Sequence, residues 1–282
     1  MLARRCRPNA TGIHAIRPSI LRCDVTFRLL TLNLWNISEP LEPRYRALAA
    51  GLKKLRPDIV CLQEVYRDPK SGRSQAELVA EMCRLGHRVG ENGLSILSSQ
   101  PAVRSAIEPL PQMPDDPPRK VLLAEFVLEA RRLLVVNTHL AYQPKMNEGR
   151  RKQAQAILTA IRRHDPNPGD CPTILCGDFN DVPDSPAIRL VLNDELGFRD
   201  AFAKCHPRSR GLTYSPARNP YVEPTWTENQ RIDYIFLTRG LRPKNCSVVF
   251  DGTRGLDFVS DHFGVFCSIQ FSRAGGDALN FR

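Results

Sequence analysis

Thr173-Ile174-Leu175-Cys176-Gly177-Asp178-Phe179-Asn180-Asp181 is an apolar run that stops at a glycine and then presents three side chains ending in oxygen or amide groups. Aliphatic and β-branched residues suit a buried strand, and Gly177 lets the backbone bend or approach a ligand closely. The two-residue side-chain period places Asp178 and Asn180 on one face and turns Phe179 to a packing face opposite. Three other segments have the same form: Leu30-Thr31-Leu32-Asn33, Ile59-Val60-Cys61-Leu62-Gln63-Glu64 and Leu133-Leu134-Val135-Val136-Asn137-Thr138-His139. Four buried strands that each end in polar groups predict a site assembled at strand ends.

Working outward, Phe27 to Trp35 reads as a first strand, followed by a helix over about 44–55 whose Tyr45, Leu48, Ala49, Leu52 and Leu55 form one apolar stripe. Ser74-Gln75-Ala76-Glu77 is a capping box that opens a second helix, closed by Gly86. Gly93 to Ser99 is a short strand, Pro109 to Pro118 a loop, and Val121–Leu128 with Arg132–His139 a hairpin pair. A basic helix over 148–164 turns Ala154, Ile157, Leu158 and Ile161 inward and leaves Arg150, Arg151, Lys152, Arg162 and Arg163 on its solvated ends. Another helix lies near 185–192. The long segment 206–230 carries Tyr214, Tyr221 and Trp226, and strands follow at 232–237, 247–250 and 263–271. Several strands adjacent in sequence, mixed with helices, indicate two packed sheets with helices outside.

Hydrophobic residues make up 42% of the 282, enough for one substantial core, and no linker divides the chain. The expected organisation is a basic, unstructured arm over 1–26, one catalytic domain over 27–271 and a tail over 272–282. Formal charge is +10, but six arginines against Asp24 within the first 28 residues account for half of it. Charge alone therefore argues only modestly for a polyanionic partner. The Arg-rich start also fits an organelle-targeting segment, and no apolar stretch approaches the roughly 18 residues that span a bilayer. Nine cysteines without framework spacing, three of them (Cys61, Cys176, Cys267) in strand-like runs, read as free thiols of a cytoplasmic protein. A monomer is expected. His14, His87, His164 and His206 fall outside every motif and are expected at the surface.

The polar strand ends and turns collect Asn33, Glu64, His139, Asp178, Asn180, Asp233, Asp261 and His262. Carboxylate and amide oxygens without a thiolate describe a hard-cation site, and Mg²⁺ takes one or two carboxylates with water and substrate phosphate. Two histidines beside such a site can move protons or stabilise charge on a phosphoryl oxygen, so phosphate-ester hydrolysis is the natural chemistry. Gly93-Leu94-Ser95-Ile96-Leu97 lacks the second glycine of a nucleophile elbow, and no phosphate loop or dinucleotide fingerprint occurs.

Leu32-Asn33, Leu62-Gln63-Glu64-Val65, Asn137-Thr138-His139-Leu140, Gly177-Asp178-Phe179-Asn180-Asp181, Arg231-Ile232-Asp233-Tyr234 and Ser260-Asp261-His262 resemble, in order and content, the motifs of the endonuclease/exonuclease/phosphatase superfamily. The resemblance covers about residues 27–271. It implies a four-layered α/β sandwich, two packed mixed β-sheets flanked by helices, with the site at one end. It implies Glu64 as the principal Mg²⁺ ligand (Mn²⁺ as a substitute), with Asn33 and Asp261 contributing. Asp178 and Asn180 would orient water or phosphate, His262 would act as base or phosphate contact held by Asp233, and His139 would stabilise the transition state. Tyr142, Arg150, Tyr214, Asn219, Tyr221 and Trp226 are expected to pack or face solvent rather than touch substrate.

The expected activity is a metal-dependent phosphodiesterase or nuclease acting on nucleic acid. The alternatives are a sphingomyelinase-like enzyme acting on a lipid head group, a phosphatase of small phosphorylated metabolites, and a non-catalytic scaffold. Leu97-Ser98-Ser99 lacks the basic residue common after this strand in the family, and Pro224-Thr225-Trp226-Thr227-Glu228 lacks the Arg that follows tryptophan in the inositol-polyphosphate phosphatases.

Overall fold

The apolar runs become strands in the computed structural model, which describes residues 25–69, 71–90, 92–165 and 171–272. The basic segment 1–24 and residues 273–282, to which the arm and tail expectations refer, lie outside the described residues. In chain order the first half comprises β1 (Thr26–Asn33), α1 (Leu41–Leu55), β2 (Ile59–Val65), α2 (Gln75–Cys83), β3 (His87–Val89), β4 (Gly93–Ser98), β5 (Arg104–Pro109) and β6 (Lys120–Leu128). The second comprises β7 (Arg131–His139), α3 (Asn147–His164), β8 (Thr173–Asp178), α4 (Pro186–Asn193), β9 (Arg199–Asp200), α5 (Ala201–Cys205), β10 (Asp233–Leu237), β11 (Leu241–Val249) and β12 (Gly264–Phe271).

Two six-stranded sheets result, ordered β11-β12-β1-β2-β4-β3 and β5-β6-β7-β8-β10-β9. Each is antiparallel except for one central parallel pair, β1 with β2 and β7 with β8. Strand parity sorts the side chains into three apolar layers. Leu29, Ile59, Cys61, Val135, Ile174, Cys176 and Ile235 meet between the sheets. Leu30, Leu32, Val60 and Leu62 face α1 and α2, whereas Leu134, Val136, Leu175 and Phe236 face α3 and α4. Strands apolar on both faces need cover on both, and the four-layered α/β sandwich supplies it.

Several boundaries differ from the sequence reading. The short strands β3 and β9 and the helix α5 carry too few residues for a periodic signal, and β5 lies at an edge with four of its six side chains exposed, which leaves no apolar run to read. The capping box at Ser74 forms as expected, with the Ser74 hydroxyl accepting from Ala76 N–H and Glu77 reaching back to Ser74 N–H. Arg84, in the left-handed conformation, ends that helix two residues before Gly86. Two surface assignments are corrected. Arg150 is buried, its guanidinium donating to the carbonyls of Ala141, Gln143 and Pro144 and facing Asp181 at 3.2 Å. His164 is also buried, 3.7 Å from Glu125. In both, the helix turns a polar residue onto a packed face where an acid or a loop carbonyl waits, and periodicity of apolar residues does not register that.

Candidate active site

The inner-face parity of the strands carries on past the apolar layer. After Leu29 comes Thr31, then Asn33; after Val135 come Asn137 and His139; after Cys176 comes Asp178; and Asp233 precedes Ile235. These polar residues therefore continue between the sheets at one end of the sandwich, at the carboxyl ends of β1, β7 and β8. Carboxyl ends of parallel strands are where open α/β folds bind ligands. A layer below, Gln63 Nε2 donates to Asn137 Oδ1 (2.7 Å) and Thr31 Oγ1 (3.1 Å), and Asn137 Nδ2 donates to the carbonyls of Leu62 (2.9 Å) and Ser95 (3.1 Å). This amide pair ties the two sheets together directly beneath the site.

Glu64 reaches the site by a different device. Parity with Leu62 would turn it outward to the helices, but the β2–β4 register shifts between Gln63 and Val65, and Glu64 is the extra residue, at φ 51°. A bulge of this kind re-aims one side chain. Val65 then fills the outer position, and Glu64 accepts from Asn33 Nδ2 (3.2 Å) and Asn36 Nδ2 (3.0 Å). Asn36, absent from the sequence reading, sits in a left-handed loop whose carbonyl Gln75 holds. Gly177 meets a steric demand: at φ 133° a Cβ there would lie 2.0 Å from the Thr138 carbonyl oxygen of β7.

One carboxylate oxygen is the hub. Asp178 Oδ2 accepts from Asn33 Nδ2 at 3.0 Å and lies 3.4 Å from His139 Nε2 and 3.7 Å from His262 Nε2, while Asp178 Oδ1 accepts the Asn180 N–H at 2.8 Å. Behind His262, Asp233 Oδ2 sits 3.0 Å from Nδ1. A carboxylate there fixes the imidazole's orientation and leaves Nε2 facing Asp178. Asn180 shares the site as expected but through a left-handed turn at φ 48°, and its amide donates to the Leu140 carbonyl. Asp261 completes the set, its carboxylate accepting from Ser260 Oγ and its backbone carbonyl bound by Asn219. Thus all eight sequence-derived residues lie around one site, and Asn219 donates to the Ser260 and Asp261 carbonyls beside it.

Burial governs the charges. It pushes Asp178 up despite the two histidines and Asn33 beside it, and it pushes Asp261 to about 6, opposed by His262 and reinforced by Glu64. His139 falls to about 4 because burial outweighs the pull of Asp178. For His262 burial also acts downward, but the carboxylates of Asp233, Asp178 and Asp261 prevail and hold its pKa well above the ordinary imidazole value. The surroundings thus push the two histidines in opposite directions: burial favours the neutral form of His139, and the carboxylates favour the charged form of His262.

Two groupings have the chemistry to hold a cation. Asp178, Asp233 and His262 each bring a ligand atom within 4.8 Å of the others. Their atoms are already engaged in the Asp233–His262 hydrogen bond and the Asp178 hub, and an imidazole is a poor ligand for a hard cation. Glu64 and Asp261 both line the cleft, and after burial the charge of Glu64 adds to the rise in the Asp261 pKa; the Asn33 amide nitrogen braces Glu64 while its oxygen accepts the Trp35 N–H. These residues fit a divalent metal. The cleft they open into has a volume of about 1030 Å³ and is lined as well by Tyr66, Arg119, Lys120, Tyr142, Tyr214 and Trp226. No helix among the described residues is long and apolar enough to cross a membrane.

A model of the Endonuclease/Exonuclease/phosphatase family matches residues 30–262. Protein angel homolog 2 of Danio rerio is 28% identical over 173 residues, which are 55% of this chain and 30% of that protein. The chain thus spans about a third of the length of the curated relatives it matches, at 30% and 32% for the first of them. Among solved structures, the human Nocturnin catalytic domain with bound sulfate superposes with a TM-score of 0.68 at 19% identity, covering 88% of this chain and 96% of that one. D. rerio TDP2 complexed with single strand DNA product gives 0.69 at 20%, covering 87% and 99%. At these identities the two structures attest the fold.

Proposed function

Because the chain belongs to the Endonuclease/Exonuclease/phosphatase family, we propose that its residues 27–271 form one catalytic domain that hydrolyses a phosphodiester of nucleic acid with Mg²⁺ or Mn²⁺ as cofactor. The observation that carries this reading is the convergence of Asn33, His139 and His262 on Asp178 Oδ2, beside the Glu64–Asp261 pair. Asn33, Glu64 and Asp261 would hold the cation, which when bound supplies positive charge against the phosphate oxygens. Asp178 and the Asn180 turn orient the attacking water. His262, fixed through Nδ1 by Asp233, presents Nε2 to the reacting phosphate. Neutral His139 offers an Nε2–H donor to a non-bridging oxygen, where charge develops in the transition state.

Support for nucleic acid over a lipid head group comes from the D. rerio TDP2 structure, which holds a single strand DNA product on the same fold. The seven described cysteines are free, which favours a reducing, cytoplasmic setting. The test is a cleavage panel of single-stranded DNA and RNA, abasic-site DNA, sphingomyelin and a bis-aryl phosphodiester, each with Mg²⁺, Mn²⁺ or chelator. Strand cleavage is expected with metal and none with chelator. Glu64→Ala, Asp178→Asn or His262→Ala should each lower turnover by about 10²-fold or more. Failure to cleave any substrate with any divalent metal overturns the reading, and cleavage of sphingomyelin alone overturns the substrate.

A further inference from the structure

Among the described residues the exposed aromatic side chains are Tyr66, Tyr142 and Trp226, at 53%, 46% and 38%, and all three line the cleft. Every other described Phe, Tyr and Trp ring is buried or half-buried. An aromatic left in water forgoes a large favourable burial, so three of them confined to one cleft call for a ligand with flat, apolar faces.

Two of the rings are built into rigid supports. Asp116, itself buried, accepts the Arg119 guanidinium in a fork (2.7 and 3.1 Å) and also the Tyr142 backbone N–H at 3.2 Å. The Arg119 guanidinium carbon lies 5.8 Å from the centroid of the Tyr142 ring. One carboxylate therefore anchors both the Tyr142 backbone, three residues beyond His139, and the cation that lies against its ring. On the other histidine, Tyr214 meets His262 ring to ring at 5.0 Å and meets the Trp226 ring edge-on at 6.4 Å. Tyr214 also bridges strand-fashion to both His262 and Gln230, which anchors the segment bearing Trp226. Each catalytic imidazole thus has an exposed, braced ring on its side of the cleft.

We propose that Tyr142 and Trp226 are base-stacking platforms that seat the nucleobases flanking the scissile phosphate, so that this cleft takes single strands with accessible bases. The proposal rests on the nucleic-acid reading of the site. Bases paired within a duplex hide their faces, whereas those of a single strand offer a π-face whatever the sequence.

Fluorescence anisotropy with the full chain in chelator separates binding from hydrolysis. The probes are a labelled eight-nucleotide DNA strand, the same-length strand with every base removed, which keeps the phosphate charge, and the eight-base-pair duplex. The wild type should bind the base-bearing strand more tightly than the abasic one by roughly 5- to 150-fold for each stacked base. Tyr142→Ala and Trp226→Ala should each lose an increment of that size against the base-bearing strand and far less against the abasic strand. Tyr142→Phe and Trp226→Phe, which keep a ring, should restore the discrimination. The proposal is overturned if the wild type binds both single strands equally, if it binds none of the three probes, if either alanine variant loses equally against both, or if duplex binds as well as single strand. Base discrimination without cleavage by any metal would leave the platforms standing and remove the hydrolytic reading alone.

Discussion

Replacing Asn137 tests whether the amide pair between the sheets supports the site. Its side chain is fully buried, donates to two main-chain carbonyls and accepts from Gln63. Truncation to alanine would strip one hydrogen bond from Gln63, which keeps weaker ones to Thr31 and the Cys61 carbonyl, and would leave the Leu62 and Ser95 carbonyls short of a donor. Each buried group so orphaned costs about 1 to 3 kcal/mol, and the small cavity adds to it, so Asn137→Ala should destabilise by about 3 to 5 kcal/mol. For a chain of this size that corresponds to about 6 to 20 °C in Tm. Removing both amides removes the mismatch, so Gln63→Leu with Asn137→Leu should cost less than the sum of the two single leucine changes, by about 1 to 2 kcal/mol. Urea denaturation followed by circular dichroism measures all four stabilities. Turnover should fall with stability margin to spare, because Gln63 adjoins Glu64 and Asn137 lies two residues from His139. An Asn137→Ala protein within about 1 kcal/mol of wild type would refute the reasoning, since no buried amide with three partners is replaced so cheaply. Strict additivity of the leucine changes would refute it too.

Three further outcomes follow from the site. Asp233→Asn removes the carboxylate that holds the His262 imidazole; NMR titration of the metal-free protein should find the His262 pKa above the ordinary value of about 6.5 in wild type and lowered in the variant, with turnover down by about 10²-fold or more. An unmoved His262 titration would detach Asp233 from its role. His139, held at about 4, binds its proton more weakly folded than unfolded, so its contribution to stability is present above the unfolded value and drains away as pH falls from about 6.5 toward 4; Tm measured across that range in wild type and His139→Gln should show the steeper fall in wild type. Gly177→Ala must open the β7–β8 contact, since its Cβ would fall 2.0 Å from a carbonyl oxygen at a φ of 133° that L residues rarely adopt. It should destabilise by more than about 1 kcal/mol, and a variant as stable as wild type in urea would contradict the backbone geometry.

Order and parity of residues along each strand were enough to identify the chemistry. Asn33, His139, Asp178 and Asp233 continue the inner-face alternation of their strands, so their convergence was implicit in the two-residue period, and the motif order pointed to the family before any coordinates. Four features depended on which segment lies opposite which. Glu64 is turned inward by a bulge that exists only in the register of β2 against β4, contrary to its own strand's parity. The Gln63–Asn137 tie spans two sheets from residues 74 positions apart. Arg150 is buried because the loop after β7 folds its carbonyls over it, and Tyr142 and Trp226 share one cleft although 84 positions separate them by number. Side-chain period is a property of the local backbone and is written in the neighbouring residues. Register, inter-sheet pairing and the exposure of a ring are set by the partner surface, and the chain alone does not carry that information in any stretch short enough to read.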